Sequence, residues 1–315
     1  MSSSYGIILV VLMFVSGIVW LIDSLTAGKS RKEALNKLYD QLQNPSQEAI
    51  DAVAMEPIHV DYAKSFFPIL LFIVVLRSFL WEPFQIPSAS MKPTLTEGDF
   101  ILVNKFDYGL RLPITSEKVI EIGLPERGDV AVFRAPDTGE DYIKRVVGLP
   151  GDTVIYTSQK EIYIKPFCSP EIAKNDCPIR FHVKKEKVAG PGYIDLNPST
   201  GTTHLNIEYV ETMGNAVHGI LNNPRRPHYT KDGTFDDAVF KVPANKYFVM
   251  GDNRDNSTDS RLWETTHFVP EANLVGHAVS IWMHFEFGFV NQDILGFPIG
   301  WIPTGVDIDR VGAIK

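Results

Sequence analysis

Ser90 stands in Pro87-Ser88-Ala89-Ser90-Met91-Lys92-Pro93-Thr94-Leu95, and Lys144 in Tyr142-Ile143-Lys144-Arg145-Val146-Val147. A serine hydroxyl is a weak nucleophile until a neighbouring base takes its proton. Histidine is the usual base, but the eight here (His59, His182, His204, His218, His228, His267, His277 and His284) are scattered, and none lies in a triad-like motif. Lysine is the alternative, as in Ser-Lys variants of the triad. Lys92 is nearer in sequence, and Pro93 holds it extended, so it projects from the same side as Ser90. In a turn beside Glu97 and Asp99, however, it is expected to be solvated and charged.

Lys144 shares a strand face with Tyr142 and Val146. As an ordinary edge-strand lysine it would point at water. To act as a base near neutral pH, its pKa must fall from about 10.4 by roughly 2–3, equivalent to about 3–4 kcal/mol. Burial against apolar neighbours can supply that. Arg145 cannot serve, because a guanidinium does not deprotonate in proteins. Alternation does not say which of the two faces inward, so the chemistry selects Lys144.

A third constellation, Gly251-Asp252-Asn253-Arg254-Asp255-Asn256-Ser257-Thr258-Asp259-Ser260-Arg261, follows an apolar strand. Counted from Asp255 as a calcium loop, it places Ser260 where Gly belongs and Thr266 where the bidentate Glu belongs. It reads instead as a turn held by its own side chains, or as one that presents Ser257 to a lysine amine. No metal-ligand spacing, phosphate loop or internal repeat is found.

The elements that must position these groups begin with two apolar stretches. Tyr5 to Ile22 carries no charge over about the length that crosses a hydrocarbon core; it lacks the basic leader and small-residue exit of a cleaved signal. The second stretch runs from about Phe66 to Trp81, with Arg77 near its end, where a long side chain can reach the headgroups. No Lys or Arg precedes the first stretch, whereas Lys29, Arg31, Lys32 and Lys37 follow it and Lys64 precedes the second. The positive-inside rule then puts the connector in the cytoplasm and everything after Trp81 outside. Cys168 and Cys177 could be two free thiols or one small disulfide; in that outer compartment they are expected to pair.

From Gln85 onward, short runs rich in β-branched and aromatic residues are separated by Gly and Pro signals, so the class is mainly β. The expected division is a first transmembrane helix at 1–22, a cytoplasmic connector at 23–64 and a second transmembrane helix at 65–81. A catalytic core at 82–152 and 246–315 is interrupted by an inserted β subdomain at 153–245. An aromatic tail (Trp282, Phe285, Phe287, Phe289, Phe297, Trp301) reads either as core packing or as a surface resting on the bilayer. Hydrophobic residues make up 44% of the 315 and charged residues 22%, as in an ordinary globular chain. A net charge of -8 argues against nucleic acid as a partner.

Together the motifs Glu82-Pro83-Phe84-Gln85-Ile86-Pro87-Ser88-x-Ser90-Met91-x-Pro93-Thr94-Leu95, Arg127-Gly128-Asp129-Val130-x-Val132-Phe133, Asp141 to Asp152 and Gly251 to Arg261 resemble the bacterial type I signal peptidases (leader peptidases). The resemblance runs from Glu82 to about Val279. It implies an antiparallel β-sheet catalytic domain, shared with self-cleaving Ser-Lys repressors, and an inner-membrane endopeptidase with its catalytic side periplasmic. It also implies removal of signal peptides from exported preproteins at the secretion translocon, with no cofactor and no metal. Carried over by position, Ser90 is the nucleophile and Lys144 the general base. The Ser90 N–H and Ser88 hydroxyl form the oxyanion hole, Ser257 holds the lysine amine, and Asp259, Arg261 and Arg145 are supporting ion pairs. Pockets for small side chains map onto Phe84, Ile86, Met91, Leu95, Ile101, Val132, Tyr142 and Ile143. Lys92 is a departure, an extra cation beside the nucleophile. Two other readings stand beside this one: an inactive membrane-anchored peptide-binding adaptor on the same scaffold, and a Ser-His hydrolase of lipids or cell-wall fragments.

Overall fold

The computed structural model describes residues 2–42, 44–112, 117–168, 180–196, 203–227, 237–288, 293–294, 297–298 and 302–314. The chain divides into two compact units, Met1–Leu80 with Arg111–Ser116, and Trp81–Leu110 with Glu117–Lys315.

The first unit is helical: α1 (Ser2–Leu25), α2 (Ala27–Gln41), α3 (Gln47–Ala54) and α4 (Ile58–Val75), the last running into a π-turn at Leu76–Leu80. Two segments, Gly6–Leu25 and Ile58–Leu80, are long and apolar enough to cross a membrane. They pack together: a Cβ on Gly17 would lie 2.7 Å from the Phe67 ring, and Trp20 sits 5.5 Å from that ring, centroid to centroid. Both apolar segments differ from the sequence bounds. The first helix continues past Ile22 to Leu25, and the second begins at Ile58, since His59, Asp61 and Lys64 break the apolar run without breaking the helix. At the other end Trp81 starts a strand. The connector holds two helices that carry no buried residue.

The second unit is built on an antiparallel sheet. Its main strands are β1 (Trp81–Gln85), β2 (Asp99–Asn104), β3 (Val130–Arg134), β4 (Asp141–Gly148), β5 (Lys246–Met250), β6 (Val269–Pro270) and β7 (Leu274–Glu286). Their spatial order is β1-β2-β7-β3-β4-β5-β6, and the short strands Gly305–Val306 and Gly312–Ala313 also pair with β7. The fold is therefore mainly antiparallel β. Between β4 and β5, the strands Thr153–Tyr156 and Ala238–Lys241 pair with each other, while Thr203–Met213 and Ala216–Asn222 form a long antiparallel ribbon.

Strand β3 is covered on both faces. Ala131 and Phe133 join one core cluster with Val146, Tyr247 and Trp263, and Val130 and Val132 join another with Ile101, Val103 and Ala278. Strand β4, hydrogen-bonded between β3 and β5, is likewise internal. Hence both Lys144 and Arg145 are buried, at 4% and 1% exposure. The edge-strand reading of Lys144 is thus corrected. Alternation could not rank the two because both faces of the strand are buried at these two positions.

Of the aromatic tail, Phe285 packs edge-on against Phe100 at 5.3 Å, and Trp282 does so at 5.9 Å while staying 43% exposed. Phe289 and Trp301 lie outside the described residues.

Candidate active site

Ser90 lies in a single 3-10 turn, Ala89–Met91, and Ser88 before it is extended. The turn is apolar on its inner side, where Met91 and Leu95 are fully buried, which leaves the Ser90 hydroxyl to face the sheet. Lys144 comes from the middle of β4, opposite Ala131 in β3, a small residue that leaves room for the long side chain. Its Nζ donates to Ser90 Oγ at 2.7 Å and to the Ile143 carbonyl at 2.8 Å. Burial pushes the amine down from its ordinary 10.5 to about 8; Asp259 and Asp252 pull it upward, and Arg261 adds to the depression. A tenth or so of the lysine is then neutral at pH 7. Ser88 Oγ lies 3.4 Å from Ser90 Oγ.

The structure does not join Ser257 to the lysine. Ser257 Oγ is buried with no hydrogen-bond partner among the described residues, although it helps hold Asp259 charged. Gly251 explains the approach of this turn to Ser90: a Cβ there would lie 2.3 Å from Ser257 Oγ and 2.5 Å from the Ser90 carbonyl. Any larger residue would push the two segments apart.

Behind the pair lies a buried ionic network. Arg261 grips Asp259 through two bonds, 2.8 and 2.7 Å, and Asp259 accepts the Gly251 N–H at 2.9 Å. Arg145 does not join that pair; it grips Asp252 at 2.9 and 2.7 Å and donates to the Gly128 carbonyl. Asp252 is fully buried and also accepts the Thr94 hydroxyl at 2.6 Å. Burial alone would raise its pKa, but Arg145 and His218 outweigh that and hold the carboxyl below the usual range. One layer further, Arg254 and Glu211 form a second bidentate pair, and His218 Nε2 sits 3.3 Å from Glu211. Again burial opposes the charge and Arg254 prevails, holding Glu211 down to about 2.

Asp252, Glu211 and Arg254 were missed as site residues in the sequence. The available signal was Arg145 itself, a charge inside an apolar strand that requires a buried partner.

The mapped pocket residues fall largely into one apolar cluster. Ile86, Met91, Leu95, Ile101 and Val132 are buried in it, with Phe84 and Ile143 half-buried against it; Tyr142 packs on the neighbouring cluster. The half-buried Phe84, Tyr142 and Ile143 are those with surface left to offer a ligand.

Lys92 is also corrected. It is extended, as the following proline requires, but it is buried, not solvated, at 8% exposure. Its Nζ lies 2.9 Å from Glu97 and 2.9 Å from Asp195. Burial works against the charge, yet the bonds to Glu97 and Asp195 outweigh it and raise the pKa.

Among the described residues no histidine is hydrogen-bonded to Ser90. His267 Nδ1 meets the Ser260 carbonyl, His277 pairs with Asp107 and His284 with Asp99. His182 pairs with Glu161, and His59 and His204 are exposed. Cys168 is disulfide-bonded; Cys177 lies outside the described residues.

Residues 59–283 match the signal peptidase, peptidase S26 family. Signal peptidase I of Pseudomonas fluorescens is 44% identical over 292 residues, covering 90% of this chain and 93% of its own length. The chain belongs to the signal peptidase family. Signal peptidase I of Pseudomonas aeruginosa is 42% identical with the same coverage of both chains, and that of Buchnera aphidicola subsp. Schizaphis graminum 39% identical over 96% of each. Since the family match begins at residue 59, it takes in α4 from its second residue, the Ser90 turn, β4 and the Gly251–Arg261 turn.

Proposed function

We propose that this chain is a membrane-bound signal peptidase that cleaves signal peptides from exported preproteins by a Ser-Lys mechanism. The observation that carries the reading is the buried contact of 2.7 Å between Lys144 Nζ and Ser90 Oγ. Neutral Lys144 takes the Ser90 proton as Oγ attacks the scissile carbonyl, giving a tetrahedral oxyanion and an ammonium. The ammonium then protonates the departing amine, the C–N bond breaks, and an acyl-enzyme ester remains on Ser90. Water, relieved of a proton by the same amine, hydrolyses the ester and frees Ser90. The Ser90 backbone N–H and Ser88 hydroxyl are the oxyanion donors, each worth roughly 3–4 kcal/mol in the transition state. Ser257 stands behind the turn, and the Asp259–Arg261 and Arg145–Asp252 pairs hold it rigid. No step calls on a cofactor.

Two apolar helices and the family match support a membrane anchor. The lysine and arginine placement supports a cytoplasmic connector at 23–64 and a periplasmic catalytic unit, anchored in the bacterial inner membrane. There the site meets preproteins leaving the translocon, against the lipid surface. The half-buried Phe84, Tyr142 and Ile143, with Ile86, Met91, Leu95, Ile101 and Val132 buried beneath, receive small residues one and three positions before the cut.

Purified chain incubated with a preprotein is expected to release a mature product whose N-terminus, mapped by mass, follows a small-x-small sequence. Cuts elsewhere would defeat the reading. The His-based alternative is separated by replacing His267 and His277 together with Asn. At equal folded amount, cleavage is expected within about twofold of the parent, because neither ring is bonded to Ser90; its loss would favour a histidine base.

A further inference from the structure

Lys92 and Asp195 form a buried pair 103 residues apart in sequence, joining the nucleophile turn to the Tyr193–Leu196 strand. The same Asp195 carboxylate reaches a second group: Asn253 Nδ2 donates to its Oδ2 at 3.4 Å. That amide nitrogen also donates to the Ala89 carbonyl at 3.1 Å, and the Asn253 backbone N–H donates to the Ser90 carbonyl at 3.1 Å. All four residues are at least nine-tenths buried or nearly so, with Asn253 1% exposed, Asp195 6%, Lys92 8% and Ser90 9%.

The Ala89 carbonyl and the Ser90 N–H belong to one peptide unit. Because that unit is planar, a bond that fixes the direction of the carbonyl fixes the opposite direction of the N–H. Asn253, together with the Lys92 backbone N–H that meets the same carbonyl at 3.2 Å, therefore aims the Ser90 N–H. Asp195 holds Lys92 through Oδ1 and Asn253 through Oδ2, so its two carboxylate oxygens tie both groups that meet this peptide unit.

We propose that Asp195, acting through Lys92 and Asn253, is a positioning residue for the Ser90 N–H as oxyanion donor. The proposal rests on the Ser-Lys reading above. A donor aimed at an oxyanion acts on the transition state and not on the bound substrate. Misaiming it therefore lowers kcat and leaves KM unmoved, by part of the 10²–10³-fold that a whole donor contributes.

The test uses the full-length protein in detergent with a preprotein substrate. Asp195→Ala is expected to lower kcat about tenfold, with KM within twofold and the acidic limb of the pH profile in its parental place, since Lys144 is untouched. Lys92→Arg, which keeps the pair, is expected to retain kcat within about threefold. Lys92→Met with Asp195→Ala together is expected to lose no more than Asp195→Ala alone, because the two act as a unit. Should Asp195→Ala fail to fold, Lys92→Met carries the same expectations. A kcat within twofold of the parent in folded Asp195→Ala or Lys92→Met would overturn the proposal and leave the Ser-Lys reading intact. So would losses that multiply in the double variant, or a displaced acidic limb. A parent protein that does not cleave would overturn both.

Discussion

Lys144→Met is expected to be inactive and more stable than the parent. Methionine matches lysine in length and fills irregular core space without strain. What it lacks is the amine that takes the Ser90 proton in the proposed mechanism, where removing a general base that acts jointly with its nucleophile costs about four orders of magnitude or more in kcat. The stability gain follows from the depressed pKa. Lys144 falls from 10.5 to about 8 on folding because burial disfavours the charge. Below about pH 8 both the folded and unfolded chains carry the proton, and the folded state bears the full penalty, on the order of 3 kcal/mol. Between about 8 and 10.5 the unfolded chain binds more protons, so stability rises with pH. Above 10.5 the penalty is gone.

The variant escapes that penalty but gives up the bonds to Ser90 Oγ and the Ile143 carbonyl, each worth about 1 kcal/mol net. The expected result at pH 7 is a catalytic unit that melts a few degrees higher, at about 2–4 °C per kcal/mol, with the difference shrinking as pH approaches 10. In the parent, log kcat/KM is expected to rise with unit slope and level off near pH 8. Thermal melts at pH 7 and pH 10, beside a pH–rate profile, check both. A variant less stable than the parent at pH 7 would mean that the amine is not held against its charge.

How much of this arrangement was legible in the sequence depended on whether the governing contact was local. The Ser90 turn, the apolar strand around Lys144 and the Gly251–Arg261 turn each carry their signal within about ten residues, and strand pattern with lysine chemistry points to two side chains that the structure brings to 2.7 Å. The wiring of the ionic network was not local. Arg145 meets Asp252 across 107 positions, and Arg254 meets Glu211 across 43. A motif with Asp252, Asp255 and Asp259 beside Arg254 and Arg261 admits several pairings that only the strand register resolves. In the register, Met250 sits opposite Arg145, which brings the residues just beyond β5 over that guanidinium. Lys92 misled for the same reason: its near neighbours are acidic and turn-like, while the partner that helps bury it, Asp195, lies 103 positions away. Helix bounds failed differently. Polar His59, Asp61 and Lys64 are compatible with a helix, yet they interrupt the apolar run by which the span was recognised.

Asp252→Ala is expected to be the most destabilising single change at the site, and to lower activity as well. Its carboxylate is wholly buried and balances the Arg145 guanidinium through two bonds, while a third bond holds Thr94 four residues after the nucleophile. Truncation leaves a buried cation without its counter-charge, a loss of about 3–5 kcal/mol. Replacing both members by apolar residues of similar volume removes the charge along with the demand for a partner, and such exchanges are often close to neutral. Arg145→Met combined with Asp252→Leu is therefore expected to recover most of the lost stability, which urea unfolding of the purified chain can measure. Activity is expected to separate from stability in the double variant. Thr94 no longer has its carboxylate, so the turn that carries Ser90 loosens and cleavage stays depressed, by about tenfold or more, although the core is repaired. Losses that simply added in the double variant would show that the pair is not one buried unit, since contacting residues that share an interaction do not add. A double variant with full activity would show instead that the network serves the fold alone, leaving the alignment of Ser90 and Lys144 to the strands and to Asn253.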